Sequence, residues 1–143
     1  MMGLICSIIS GISMSLQGVF NSKLGEKIGL WETNALVQGI GFALTLIVLF
    51  FAGNGNFKNL SSANKLYLLG GPLGVVIIFT VMCGISKLGT TYAISTILIS
   101  QLLAAGLIDA FGLFGSKKVD FGFKEILGVA IMLVGIVVFK WKK

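Results

Sequence analysis

The stretch TYAISTILISQLLAAGLIDAFGLFG, Thr91 to Gly115, decides the fold. It is apolar over a length that crosses a bilayer, whose hydrocarbon core takes about 20 residues of helix. Yet it carries Gln101 and Asp109. A carboxylate inside such a span costs roughly 2.5–3.5 kcal/mol on insertion scales, so a cavity, a partner group or a proton has to offset it. An intramembrane ionisable residue is by default a functional-site candidate. The plainer reading is that Asp109 lies near a helix end, snorkels to the headgroups and meets Lys117 or Lys118. At the level of the sequence both readings stand.

Four more stretches of this kind flank it. The expected spans are about 2–20, 32–52, 66–86, 91–114 and 125–140. Of the 143 residues 56% are hydrophobic and 11% charged, which leaves no room for a soluble domain. The chain therefore reads as a single transmembrane domain over 1–143, all α, with five membrane helices. The first span has no basic residue ahead of its apolar run and no clear small-residue cleavage site. It reads as a retained helix, not a cleaved signal.

The net charge is +6, from eleven lysines, no arginine and five carboxylates. Those lysines lie between and after the apolar spans, where they anchor helix ends. Nucleic-acid binding is not expected. Cys6 and Cys83 both fall within spans, and with no histidine the chain offers no metal-ligand spacing. No cofactor is implied. No nucleophile–base pair or phosphate loop is visible, so an enzyme is not expected.

Polar residues are patterned within the spans. Ser7, Ser10, Met14, Gln17 and Asn21 follow one another at 3, 4, 3 and 4 residues, which places them on one face of the first helix. Gly3, Gly11 and Gly18 lie on or beside it, so close helix packing and a pathway-lining face compete as readings. Gln17 and Asn21 are larger than packing requires, which favours the pathway. A loop is expected from Ser22 to Trp31, with Trp31 an interfacial anchor. The second span repeats the pattern with Asn34, Gln38, Gly41 and Thr45. Glu32 opens it, either as a carboxylate complementing the helix dipole or as a coupling group. In the loop 53–65, Ser61 or Ser62 is expected to cap the third helix. Pro72, within GGPLG, is expected to kink that helix. Lys87 to Thr90 form a short turn. Gly128 and Gly135, seven apart, suit packing of the fifth span.

Five spans put the termini on opposite sides. Lys58, Lys65, Lys117, Lys118 and Lys124 then share the N-terminal side; Lys23, Lys27, Lys87, Lys140, Lys142 and Lys143 share the other. Orientation follows an imbalance of basic residues, and five against six is almost none. Insertion both ways is the expectation. Two copies would then pair antiparallel into ten helices, with the symmetry of inverted-repeat transporters and a site at the repeat interface. Inversion brings one copy's Asp109 to the depth of the other's Asn21 and Glu32.

The segments QGVFNSKLG (Gln17–Gly25), GGPLG (Gly70–Gly74) and SQLLAAGLIDAFGLFG (Ser100–Gly115) resemble the YdcZ-type family of the drug/metabolite transporter superfamily. The resemblance covers nearly the whole chain. It implies a multi-pass inner (plasma) membrane protein, an exporter, built as half of the ten-helix inverted-repeat fold. It supplies no substrate. The related small multidrug resistance proteins exchange protons for cations on a first-helix glutamate. Here the expected first span has no carboxylate, so that mechanism fails unless Asp109 or Glu32 has taken the role.

The expected function is secondary transport by alternating access. Ser7, Ser10, Gln17, Asn21, Gln38 and Gln101 would bind a small polar or amphiphilic solute. Asp109 or Glu32 would couple a proton or cation. The expected partners are membrane lipid, the small-molecule solute, and either an antiparallel second copy or an oppositely oriented paralogous chain. A small ion channel and a non-transporting membrane component are the alternatives.

Overall fold

The computed structural model describes residues 1–119 and 122–141, with the backbone alone at Lys140. Asp120, Phe121 and the tail anchors Lys142 and Lys143 lie outside the described residues, as does the side chain of Lys140. Five α-helices occur among the described residues: α1 Met2–Ile28, α2 Leu30–Ala52, α3 Gly70–Leu88, α4 Thr90–Phe111 and α5 Phe123–Lys140. Four helical segments, Met2–Ile28, Leu30–Ala52, Lys65–Leu88 and Thr90–Phe111, are long and apolar enough to cross a membrane. The fifth expected span falls on α5, which is not one of these four: it carries Lys124 and Glu125 in its first turn and Lys140 at its end.

The expected loop Ser22–Trp31 is not there. α1 runs on to Ile28 and α2 starts at Leu30, so the connection is Gly29 alone. Residues 22–28 hold no helix breaker but Gly25, and an i,i+3 ion pair braces them, with Lys23 Nζ 2.9 Å from Glu26 Oε1. Gly29 has φ 101°, a conformation that an L side chain avoids. Its N–H donates to the Gly25 carbonyl at 3.0 Å and its own carbonyl accepts from the Thr33 N–H at 3.1 Å, so it closes one helix and opens the next. Because α1 includes Glu26, the first helix does hold a carboxylate, but in its last turns, exposed and paired with Lys23.

The chain divides into two compact units, 1–87 and 88–143. In the first unit, α3 lies against α1 at glycines. A Cβ on Gly18 would stand 2.8 Å from Ile85 Cδ1 and 3.1 Å from Val81 Cγ1. A Cβ on Gly25 would stand 2.9 Å from Leu30 Cδ2 of α2 and in ordinary contact with Met82 Sδ of α3, at 3.7 Å. Gly3 and Gly11 meet nothing within 4 Å, so of the three glycines beside the stripe Gly18 alone has that role. After Gly53 the chain makes two 3-10 turns, Phe57–Ser61 and Lys65–Leu69. Asn56 and Asn64 cap them, their Oδ1 atoms accepting from the N–H groups of Lys58 and Leu66. Ser61 and Ser62, expected as caps, instead donate to the carbonyls of Lys58 and Asn59.

Pro72 is the third residue of α3, not an interior one. A first-turn N–H has no acceptor within its own α-helix, so the proline costs no α-helical hydrogen bond and falls at the junction with the preceding 3-10 turn, not inside the α-helix as expected.

In the second unit α4 packs on α5, with Val129 of α5 buried. Gly128 and Gly135 meet nothing within 4 Å, so they do not mediate it as expected. α4 ends at Gly112 in the left-handed conformation, φ 60°. A 3-10 turn, Leu113–Gly115, follows.

Burial is inverted relative to a water-soluble fold. Only 6%, 0%, 11% and 11% of the apolar windows of the four candidate spans are buried. Buried hydrophobics among the described residues are Met82, Ile85, Ala93, Ile99 and Val129, while Leu, Ile, Val and Phe cover the outside. Lipid solvates such a surface as well as another helix would, so large apolar side chains need not turn inward.

Candidate functional site

The polar stripe on α1 runs from an exposed end to a buried one. Ser7 and Ser10 are exposed, and the Ser7 hydroxyl donates to the Gly3 carbonyl of its own helix at 2.9 Å. Gln17 is also exposed. Asn21, one turn on, is 6% exposed, and Ser22 2%. The buried face of α1 is thus Gly18, Asn21, Ser22 and Gly25, spaced i, i+3, i+4 and i+7.

α2 carries the other half of this polar region. Thr33 is 0% exposed and Asn34 2%, both just past the Gly29 elbow. Asn34 Nδ2 donates to the Val75 carbonyl at 2.8 Å and so ties α2 to α3. Asn34 Oδ1 and Thr33 Oγ1 are buried and have no hydrogen-bond partner. An orphaned buried acceptor or hydroxyl costs about 1–3 kcal/mol. Gln38, one turn further, is half-buried beside Gly74, whose Cβ would lie 3.5 Å from Gln38 Nε2. Trp31 stacks on Phe79 of α3 with ring centroids 4.4 Å apart and planes at 22°. The residue expected only as an interfacial anchor therefore also clamps two helices.

Glu32 is exposed in the first turn of α2. Its carboxylate folds over Gly29 so closely that a Cβ there would collide with it. That position sets its charge against the positive end of the helix dipole.

Gln101 and Asp109 belong to the second unit and both are exposed on α4. Asp109 sits in the last turn, where its backbone carbonyl accepts from the N–H groups of Gly112 at 3.3 Å and Val119 at 3.0 Å. Ser116 Oγ donates to the neighbouring Ile108 carbonyl at 3.3 Å. The segment after α4 thus folds back onto the end that bears the carboxylate. Among the described residues no ion pair joins Asp109 to Lys117 or Lys118.

Within the first unit, then, the structure brings Asn21 and Gln38 into the helix packing and leaves Ser7, Ser10 and Gln17 on an open face. Ser22 and Thr33 were not among the expected site residues. Their signal was present: Ser22 lies at i+4 from Gly18, and Thr33 precedes an asparagine of the second stripe. Among the described residues no group of three His, Cys, Asp or Glu side chains is placed to hold a metal ion. The chemistry on offer is neutral hydrogen bonding within a membrane, with carboxylates at helix ends.

Over residues 2–138 the chain matches a family model described as "Putative inner membrane exporter, YdcZ". No curated protein and no solved structure matches it.

Proposed function

We propose that this chain, which belongs to the YdcZ family of inner-membrane exporters, exports a small polar or amphiphilic solute by alternating access as an antiparallel pair of copies. That it is a multi-pass inner-membrane protein of an exporter family follows from the family and the four apolar helices. An exporter family is not an enzyme class.

One observation carries the reading: two buried polar atoms, Thr33 Oγ1 and Asn34 Oδ1, stand without partners in a membrane helix bundle. Lipid offers no hydrogen bonds, so a group from outside this fold, water or solute, has to satisfy them. A solute that donates N–H or O–H groups does so, and Asn21 and Gln38 add two amides in the same unit. In this reading Ser7, Ser10 and Gln17 continue the pathway along α1, and Gln101 is a separate solute contact on α4. Their exposure supports a second copy, because lipid against the Gln17 amide would leave it unsatisfied. The near-even lysine distribution supports an inverted one. Asp109 or Glu32 couples the cycle to a proton or cation.

The test is the sidedness of the C-terminus. With Cys6 and Cys83 replaced by alanine and Lys143→Cys introduced, an impermeant thiol reagent should label about half of the chains in intact cells and all of them after permeabilisation. Labelling wholly from one side would overturn the inverted homodimer and point to a separately encoded partner.

A further inference from the structure

A second feature of the first unit lies away from the polar stripe. Where α2 ends, the first 3-10 turn and the residues on either side of it form an open cavity of about 550 Å³ against Leu49. Leu49, Phe57, Leu60 and Ala63 give it apolar walls, and Asn56 and Asn59 give it a polar rim. α2 has 23 residues, about 34 Å of helix, which spans a hydrocarbon core of about 30 Å. The segment after Ala52 therefore lies at headgroup depth.

Charge decides what fits there. Lys58 stands between two lining residues, Phe57 and Asn59, and Lys65 follows two positions after Ala63. Both are exposed, and neither is in an ion pair among the described residues. The sequence contains no Asp or Glu between Glu32 and Asp109, so no carboxylate of this region offsets them. Two uncompensated lysines next in sequence to apolar walls at headgroup depth complement a molecule with an anionic head and an acyl chain.

We infer that this cavity is a site for an anionic phospholipid, with Lys58 and Lys65 holding the phosphate and Leu49, Phe57 and Leu60 holding the start of the chain. This inference does not depend on transport. It assigns the 3-10 segment a role that neither a turn nor a solvated loop needs: Phe57 and Leu60 would otherwise expose apolar surface at the polar face of the membrane.

The test uses the intact chain, purified in detergent and given equal amounts of phosphatidylglycerol and phosphatidylcholine, with retained lipid read by native mass spectrometry. The wild type should retain the anionic lipid preferentially. Lys58→Gln and Lys65→Gln should each lower that retention roughly fivefold, the factor an interfacial lysine contributes towards anionic lipid. The pair Lys117→Gln and Lys118→Gln, in the other unit, should leave it unchanged. Leu60→Glu should remove it by placing a carboxylate in the cavity wall. Equal retention of the two lipids by the wild type would overturn the inference, as would an equal loss in the Lys117/Lys118 variant. Displacement of the lipid by millimolar inorganic phosphate would assign the lysines to a free anion instead.

Discussion

Asn34→Leu separates a structural asparagine from a functional one. The substitution removes one interhelical hydrogen bond, from Nδ2 to the Val75 carbonyl at 2.8 Å. Such bonds within membranes contribute about 0.6 kcal/mol on average and up to about 1.7 kcal/mol. It also removes the orphaned Oδ1, whose burial costs about 1–3 kcal/mol. The difference runs from roughly 1 kcal/mol of lost stability to roughly 2 kcal/mol of gain. Asn34→Leu should therefore be about as stable as the wild type or more so. Unfolding in mixed micelles would be followed by Trp31 fluorescence in a Trp141→Phe background, since Trp31 reports on its stack with Phe79. Export from proteoliposomes loaded with a panel of small polar solutes, read by mass spectrometry, should fall at least tenfold. A stability loss above roughly 2 kcal/mol would mean that both ends of the amide are satisfied in the fold, and the reasoning would fail. Wild-type export with stability retained would remove Asn34 from the pathway.

Other perturbations test other joints. Gly29→Ala places a side chain at φ 101° and against the Glu32 carboxylate, so it should destabilise the first unit by at least about 1–2 kcal/mol in the same unfolding assay. Combining it with Glu32→Ala should recover the part due to the clash and leave the part due to the backbone. Gly18→Val drives a branched side chain into Ile85 and Val81; it should cost about 1–3 kcal/mol and weaken the Trp31–Phe79 stack as α3 moves off α1. Lys23→Gln breaks an exposed pair and should change stability by less than about 1 kcal/mol, which the same titration would show. Asp109→Asn should fold normally and lose the dependence of export on a proton gradient; a variant that keeps it would move coupling to Glu32.

The five helices were legible, four of them with the length and apolar composition that lipid imposes and few other environments do. Their ends were less so. Residues 22–28 read as a loop since Ser22, Lys23, Glu26 and Lys27 are polar, but a helix tolerates polar residues where it leaves the hydrocarbon, and only Gly29 has a conformation that ends it. Pro72 read as a kink because the start of α3 was placed near Leu66; the intervening 3-10 turn shifts that proline into the first α-helical turn. The stripes on α1 and α2 were legible from their spacing. Which of their residues turn inward was not, because a helical face is fixed by its partner, and the partner face of α3 is built from Val81, Met82 and Ile85, which look like any lipid-facing residues in sequence.

The packing of the first unit bears on how such a chain would move. The buried residues that α1 and α2 contribute around the elbow are small or polar: Gly18, Asn21, Ser22, Gly25, Thr33 and Asn34. Large apolar residues gain little by leaving lipid, whereas glycines let backbones approach and amides cross-link them. Cohesion therefore concentrates where those residues lie, at the C-terminal end of α1 and the N-terminal end of α2. Away from it, Gly3, Gly11, Gly39 and Gly41 meet nothing within 4 Å, and Ser7 and Thr45 donate back to their own helices at Gly3 and Gly41. A unit clamped at one end has its compliance at the other, which for α2 is the end that leads into the 3-10 turns and the lipid cavity. Under alternating access the open end is where displacement accumulates, and an anionic lipid held at Lys58 and Lys65 would load that end. Lys58→Gln with Lys65→Gln should then change the rate of export without changing which solute is exported, while Asn34→Leu should impair export of every solute bound at the elbow.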